Sequence, residues 1–401
     1  MGILLPSVGA LLSACGDAEN GAESADVVVG TPDDPRQQPL FDDNPAIESG
    51  LPAEEGPLLL YNWGEGINPE TIPLAEEAIG ASIEITTFFN LEESIQKLSS
   101  GEVQFDVWWP TAAYIGKAVA GGLIQPLNLD YIPNLGGIWP ALADPFYDQS
   151  SRYSVPYIVY QTGIGWRTDM VDDADVETLT NPWLAFWNPK YKDITGLYKD
   201  FQETLSMAMF RNGIADPAAA SADEVAAAAD SLIELVDLMN IQYTIDGAYD
   251  GIPNARFGLH HAWSGDMVGS VWYFPEDGDT SVLRYAWPPN VPGSTVKGIV
   301  GNDTMTVLAG APNPVLAHRF LDFMLGEDGA LSNFEWYLYQ PPLTSLDPDT
   351  LIADEWVVPN LESAIVRQED FANPLANVPV QLEPDVESVW LDEWNRVQAS
   401  G

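Results

Sequence analysis

Five acidic residues stand in short motifs, most of them beside an aromatic ring. Glu65 lies two residues after Trp63 in Tyr61-Asn62-Trp63-Gly64-Glu65, and Asp200 and Glu203 flank the run Phe201-Gln202 after Lys199. Asp266 closes Trp263-Ser264-Gly265-Asp266, and Asp303 closes Gly301-Asn302-Asp303. A carboxylate neutralises an ammonium group and accepts its hydrogen bonds. An indole face attracts the same cation and covers its methylenes. The chemistry that suits this pattern is recognition of a small organic cation.

Each residue also has a plainer role open to it. A tryptophan at a strand end often belongs to the core. An aspartate such as Asp303 can serve a turn or an N-cap. Asp200 and Glu203 are three residues apart, so they share a face if that stretch is helical. Like charges placed so cost stability that a bound cation relieves, but a solvated acidic face is the ordinary alternative.

Charge does not decide between these roles. The 401 residues carry Lys+Arg 15 against Asp+Glu 60, a formal charge of -45. Such a surface repels nucleic acid, which needs basic contacts to phosphate, and it repels anionic lipid. It attracts cations over long range, although adaptation to salt or plain solubility explains the bulk charge as well.

Cys15 is the single cysteine, so no intrachain disulfide and no cysteine metal cage can form. It sits in Leu12-Ser13-Ala14-Cys15-Gly16 after an apolar run over 3–12, which resembles a bacterial lipobox. Residues 1–15 are therefore expected to be a lipoprotein signal peptide, with Cys15 acylated and the domain anchored to the membrane. Residues 1–14 hold no Lys or Arg, whereas such leaders normally open with a positive segment. Residues 16–56, rich in Asp, Glu, Pro, Gly, Ala and Ser, are expected to form a disordered acidic tether. No other stretch is long and apolar enough to cross a bilayer.

From Pro57 onward strands and helices alternate. Strands are expected at 58–63, 82–88, 106–110, 155–166, 194–198, 257–263 and 304–308. Helices are expected after Asn90, over 111–121, over 222–239 behind Ser221, and over 314–325 before Gly326. The alternation predicts an α/β fold with parallel or mixed sheets. Trp63-Gly64-Glu65, Pro110-Thr111 and Trp263 each follow an expected strand, and open α/β sheets bind ligands at the carboxyl ends of their strands.

Beyond the acidic motifs, five blocks occur in a telling order: Tyr61-Asn62-Trp63-Gly64-Glu65, Phe105-Asp106-Val107 leading to Pro110-Thr111, Gly122 to Leu127, Tyr153 to Tyr157, and Trp187 to Lys192. With them the chain, from about residue 57 to its end, resembles the spermidine/putrescine-binding proteins. These are the extracytoplasmic solute-binding subunits of polyamine ABC importers. The resemblance implies a two-lobed periplasmic-binding-protein-like fold of type II, each lobe a mixed sheet flanked by helices, with crossing hinge strands. Lobe 1 would comprise 57–161 plus 302–348, and lobe 2 would comprise 162–301 plus 349–401. The crossing segments would lie near Tyr160-Gln161-Thr162 and Gly301-Asn302-Asp303.

The same resemblance implies a polyamine-binding site of Trp63, Glu65, Thr111, Asp200, Glu203, Trp263, Asp266, Asp303 and Tyr339. Thr111 would supply a hydroxyl contact and Tyr339 an aromatic wall. It further implies an ABC permease as partner, a monomeric state, no cofactor and no metal. The chain departs from the family at Gly64, Gly66, Ala113 and Gly301, where relatives often carry Thr or Ser, Tyr, Tyr or Asp, and an aromatic. Either Phe88, Trp108, Trp109 or Tyr114 fills that space, or the cleft takes a bulkier amine.

Three rival readings use the same residues. Paired acids among tryptophans also describe glycoside hydrolases. A binding protein could take a sugar, an iron(III) complex or calcium. A sugar accounts for the tryptophans but not for the surrounding acids, and adjacent His260 and His261 on a strand point to opposite faces. An acidic, anchored surface protein with no ligand is the third. No phosphate loop or nucleophile elbow is present.

Overall fold

The computed structural model describes residues 26–288, 291–371 and 379–400. Cys15 and the expected signal peptide lie outside the described residues. Nine strands form one mixed sheet: β1 (Leu58–Trp63), β2 (Ile83–Phe88), β3 (Val107–Trp108), β4 (Ser154–Arg167), β5 (Thr195–Tyr198), β6 (Gln242–Thr244), β7 (Leu259–Trp263), β8 (Leu283–Ala286) and β9 (Ile299–Val307). Their order is β2-β1-β3-β9-β4-β7-β5-β6, with β8 also paired to β4.

The antiparallel pair β4 and β9 forms the seam of this sheet. On one side β1 runs parallel to β2 and β3, and on the other β5 runs parallel to β6 and β7. β4 spans 14 residues, all buried, and passes from pairing with β9 to pairing with β7 and β8. Its run Val155-Pro156-Tyr157-Ile158-Val159-Tyr160 is β-branched and aromatic, as suits a strand covered on both faces.

Helices cover the sheet. Thr71–Ile79, Pro314–Met324 and Glu327–Tyr337 pack together, and Phe201–Arg211, Ala222–Met239 and Pro384–Gln398 form a second group. The helix Ala222–Met239 starts from a capping box of Ser221 and Glu224, as its sequence predicts, and ends at left-handed Asn240. No helix among the described residues is long and apolar enough to cross a membrane.

Some boundaries differ from expectation. β9 begins at Ile299, five residues before the expected strand, because the stretch to Asp303 pairs with the middle of β4. Over 111–121 the chain makes a short 3-10 turn, Ala112–Tyr114, before the helix Ile115–Ala120. Gly326 caps the start of Glu327–Tyr337, and Leu325 caps the end of the preceding helix.

The disordered tether expected over 16–56 is corrected where it is described. Gln38 is 1% exposed, and its Nε2 donates to the Tyr147 carbonyl at 2.8 Å. The Tyr153 hydroxyl donates to the Pro39 carbonyl at 2.6 Å, and Asn44 Nδ2 donates to the Ile124 carbonyl at 2.8 Å. Asn128 Nδ2 donates to the Ile47 carbonyl at 2.9 Å. Glu54 accepts from the amides of Val315 at 3.2 Å and Leu316 at 3.0 Å. It thereby caps a helix whose own N-cap residue, Asn313, makes no side-chain cap. Composition reports how little this segment can bury by itself. It misses the backbone groups that side chains of the sheet-bearing body satisfy.

Candidate ligand-binding site

The seam brings together motifs that are far apart in sequence. Trp63 ends β1, Thr111 follows β3, Asp200 follows β5, Trp263 ends β7, and Asp303 lies within β9. Thr111 and Asp303 form an isolated antiparallel bridge.

Asp200 is the N-cap of Phe201–Arg211, and its Oδ1 accepts from the Glu203 amide at 2.9 Å. The two acids are therefore a cap and the third helical residue, rather than two positions on one helix face. Glu203 is 5% exposed. Its Oε1 accepts from Trp263 Nε1 at 3.1 Å, while Oε2 is buried without a well-formed hydrogen bond, the Thr162 hydroxyl being the side-chain donor beside the carboxylate. Loss of hydration, and then the charge of Asp200, push the Glu203 carboxyl up to about 8. Asp200 is raised to about 6 by loss of hydration, against the opposing bond from the Glu203 amide, and Glu92 adds to the rise.

The Trp263 indole stacks on Tyr198 at 3.9 Å and 19°, with Tyr160 edge-on at 6.3 Å. Tyr198 in turn donates to Asp266 Oδ2 at 2.6 Å, and Tyr339 donates to Oδ1 at 2.5 Å. Burial raises Asp266 to about 7, although the two phenols favour its charged form. The Tyr339 ring lies against the backbone of Gly265, where a Cβ would come within 2.3 Å of it. Glycine at 265 is thus what lets the ring reach Asp266.

Asp303 is raised to about 7 by loss of hydration alone. Its carboxylate accepts no hydrogen bond from any described side chain or amide. Among the described residues no Lys or Arg forms an ion pair with Asp200, Glu203, Asp266 or Asp303. Two buried and two half-buried carboxylates without a Lys or Arg partner are what a ligand of positive charge would neutralise.

Trp63 and Glu65 sit differently. Trp63 is half-buried, donates from Nε1 to the Trp109 carbonyl at 3.0 Å, and packs on Phe88. Glu65 is exposed at φ 59°. From there its charge raises the phenols of Tyr249 and Tyr273 further, adding to the effect of their burial. The charge of Asp266 reaches the same two phenols.

Of the two alternatives for the glycine positions, filling by Phe88, Trp108, Trp109 or Tyr114 is not what the structure shows at Gly64 and Gly301. Phe88, Trp108, Trp109 and Tyr114 are core residues, and the Tyr114 hydroxyl is engaged by Glu92 at 2.7 Å. Phe89, 65% exposed, covers Gly64 instead, and Tyr160 covers Gly301. Sequence reasoning also missed Tyr198, Tyr337 and Glu92. Tyr198 was legible as the strand end before Asp200, and Tyr337 as the alternate-position partner of Tyr339, on which it stacks at 4.6 Å. Glu92 carried only a helix-start signal. His260 and His261 are buried and held neutral, pushed down to about 4 and about 3 by loss of hydration.

The family model of the bacterial extracellular solute-binding proteins matches residues 73–360. The chain is 25% identical over 346 residues to the spermidine/putrescine-binding periplasmic protein of Escherichia coli (strain K12), covering 84% of this chain and 86% of that one. It is 24% identical over 368 residues to a putrescine-binding periplasmic protein of the same organism, covering 87% and 93%. A lipoprotein of Treponema pallidum has the same fold, with a TM-score of 0.69 at 20% identity, over 85% of this chain and 98% of that one. These likenesses agree with the two-lobed binding-protein architecture expected from the sequence. With the family match running through most of its length, the chain belongs to the bacterial extracellular solute-binding protein family.

Proposed function

We propose that this protein captures a polyamine of the putrescine or spermidine class outside the cytoplasm and delivers it to an ABC permease. The observation that carries this reading is the set of four carboxylates, Glu203 and Asp266 buried and Asp200 and Asp303 half-buried, unpaired with any described base and walled by Trp263, Tyr198 and Tyr339. The curated relatives are polyamine-binding proteins by name, which agrees with that chemistry.

In this mechanism the acids pair with the amines while Trp263 and Tyr339 flank the methylene chain. Trp63 and Glu65 meet the ligand at the rim, and Thr111 offers a hydroxyl beside Asp303. The parts on either side of the β4–β9 seam act as two lobes, 57–161 plus 302–348 and 162–301 plus 349–401. A cation bound by acids from both favours the closed form by its differential affinity. Acylation of Cys15 would hold the subunit at the membrane, and the protein would act as a monomer.

Thermal unfolding with putrescine, spermidine, spermine, an amino acid, maltose and calcium tests the reading. A ligand that binds only the folded state raises the midpoint. A rise with a polyamine supports the proposal. A rise with maltose or calcium and none with any amine would refute it.

A further inference from the structure

Tyr160 occupies a position that nothing above assigns to the ligand. It lies on β4 directly opposite Gly301 of β9, in the seam between the two parts of the sheet. Its phenol folds across Gly301, so that a Cβ at 301 would stand 2.6 Å from the Tyr160 hydroxyl oxygen and 2.7 Å from Cζ. The ring and the glycine are therefore a matched pair, since any side chain at 301 must displace the phenol.

The hydroxyl is the second observation. Tyr160 is 8% exposed, yet its hydroxyl has no hydrogen-bond partner among the described residues. Unlike the fully buried Tyr243 hydroxyl, the Tyr160 oxygen keeps some exposure, so a ligand can reach it. It lines a small cleft with Thr111, Ala113, Asn302 and Pro379. Three carboxylates, Glu203, Asp303 and Asp200, stand close enough to add to the effect of burial in keeping its proton on. A neutral phenol among three carboxylates with no base beside it is placed to accept from a donor cation that those carboxylates attract.

We propose that Tyr160 is a specificity-determining contact, whose hydroxyl oxygen accepts a hydrogen bond from a primary ammonium held between Asp303 and Glu203. This rests on the polyamine reading. An ammonium has three N–H donors arranged around nitrogen. Two carboxylates take two of them, and the phenol oxygen takes the third. The ring over Gly301 closes the wall on that side and narrows the space for substituents on nitrogen. Tyr160 would thus favour primary ammonium ends over fully methylated ones, both by the bond and by volume.

The test is calorimetric titration of wild type and Tyr160→Phe with putrescine and with its bis-trimethylammonium analogue. The Phe variant keeps the ring and loses the acceptor. Putrescine affinity should fall roughly tenfold or more, as for a lost hydrogen bond to a charged group. The preference for putrescine over the methylated analogue should shrink by the same factor, while the ligand-free melting midpoint stays unchanged. A second pair of variants reads the packing. Gly301→Ala should lower both putrescine affinity and melting midpoint when Tyr160 is present, and neither in a Tyr160→Gly background. Equal putrescine affinity in wild type and Tyr160→Phe would overturn the proposal while leaving the polyamine reading standing. Failure of wild type to bind putrescine or spermidine would overturn both.

Discussion

The indole N–H of Trp263 donates to Oε1 of Glu203 at 3.1 Å, and Glu203 keeps its other oxygen buried without a well-formed hydrogen bond. One hydrogen bond thus fixes an aromatic wall and an acid together, and leaves the other oxygen with only the Thr162 hydroxyl beside it. Glu203→Gln can keep the bond from the indole through its amide oxygen and loses only the charge. It should weaken polyamine binding by about 1.5–3 kcal/mol, the range for a hydrogen bond to a charged group. The ligand-free protein should melt no lower than wild type. Isothermal titration together with a melting curve checks both halves, and an unchanged affinity would remove Glu203 from the site.

The acids of the site make the ligand-free protein sensitive to pH in a defined direction. Asp266 and Asp303 are raised to about 7 and Glu203 to about 8, against ordinary values near 4 in the unfolded chain. Between those limits the folded state holds protons that the unfolded state has released. Their contribution is full below about pH 4 and is lost as pH rises through about 7 to 8. Asp303→Asn removes one such group, so its melting midpoint relative to wild type should be higher at pH 8 than at pH 5. A difference that does not change with pH would contradict the account.

Binding should also move protons. A polyammonium ion drawn among these carboxylates favours their charged forms, so at neutral pH part of their proton load is released on binding. Titrations in two buffers of different ionisation enthalpy should therefore give different apparent heats, in the direction of proton release. Identical heats in both buffers would show that the acids are already ionised in the empty cleft.

Much of this was legible in the sequence, and the residues show why. Leu58–Trp63 and Ala222–Met239 fall where expected because their local signals agree with their surroundings, in the second case through the Ser221 and Glu224 box. β6 and β8 were missed because segments of three and four residues carry too little periodicity. In the site, Trp263 and Asp266 stand in a visible motif, and Tyr339 follows from the family resemblance. Tyr198 shows in the sequence only as a strand end and Tyr160 only as part of a crossing segment, because their roles depend on what lies opposite them: Asp266 for one and the bare α-carbon of Gly301 for the other. The segment 26–56 was misread because its partners, Tyr147, Tyr153 and the start of the helix Pro314–Met324, lie far along the chain.

That segment supplies its own test. Glu54 caps Pro314–Met324 in place of a local side chain. Glu54→Ala should lower stability by about 1 kcal/mol, as for loss of a helix cap, with polyamine affinity unchanged. Chemical denaturation measures this directly, and a free tether predicts no change at all.

The central claim is that unpaired carboxylates at the seam hold a polyamine, and Asp303 is the acid with the fewest other duties. The most direct measurement is equilibrium titration of wild type and Asp303→Asn with putrescine and spermidine at neutral pH. The account predicts one site per chain for at least one of these amines, weakened by about 1.5–3 kcal/mol in Asp303→Asn. No binding of either amine to wild type, or equal affinity in the two proteins, would contradict it.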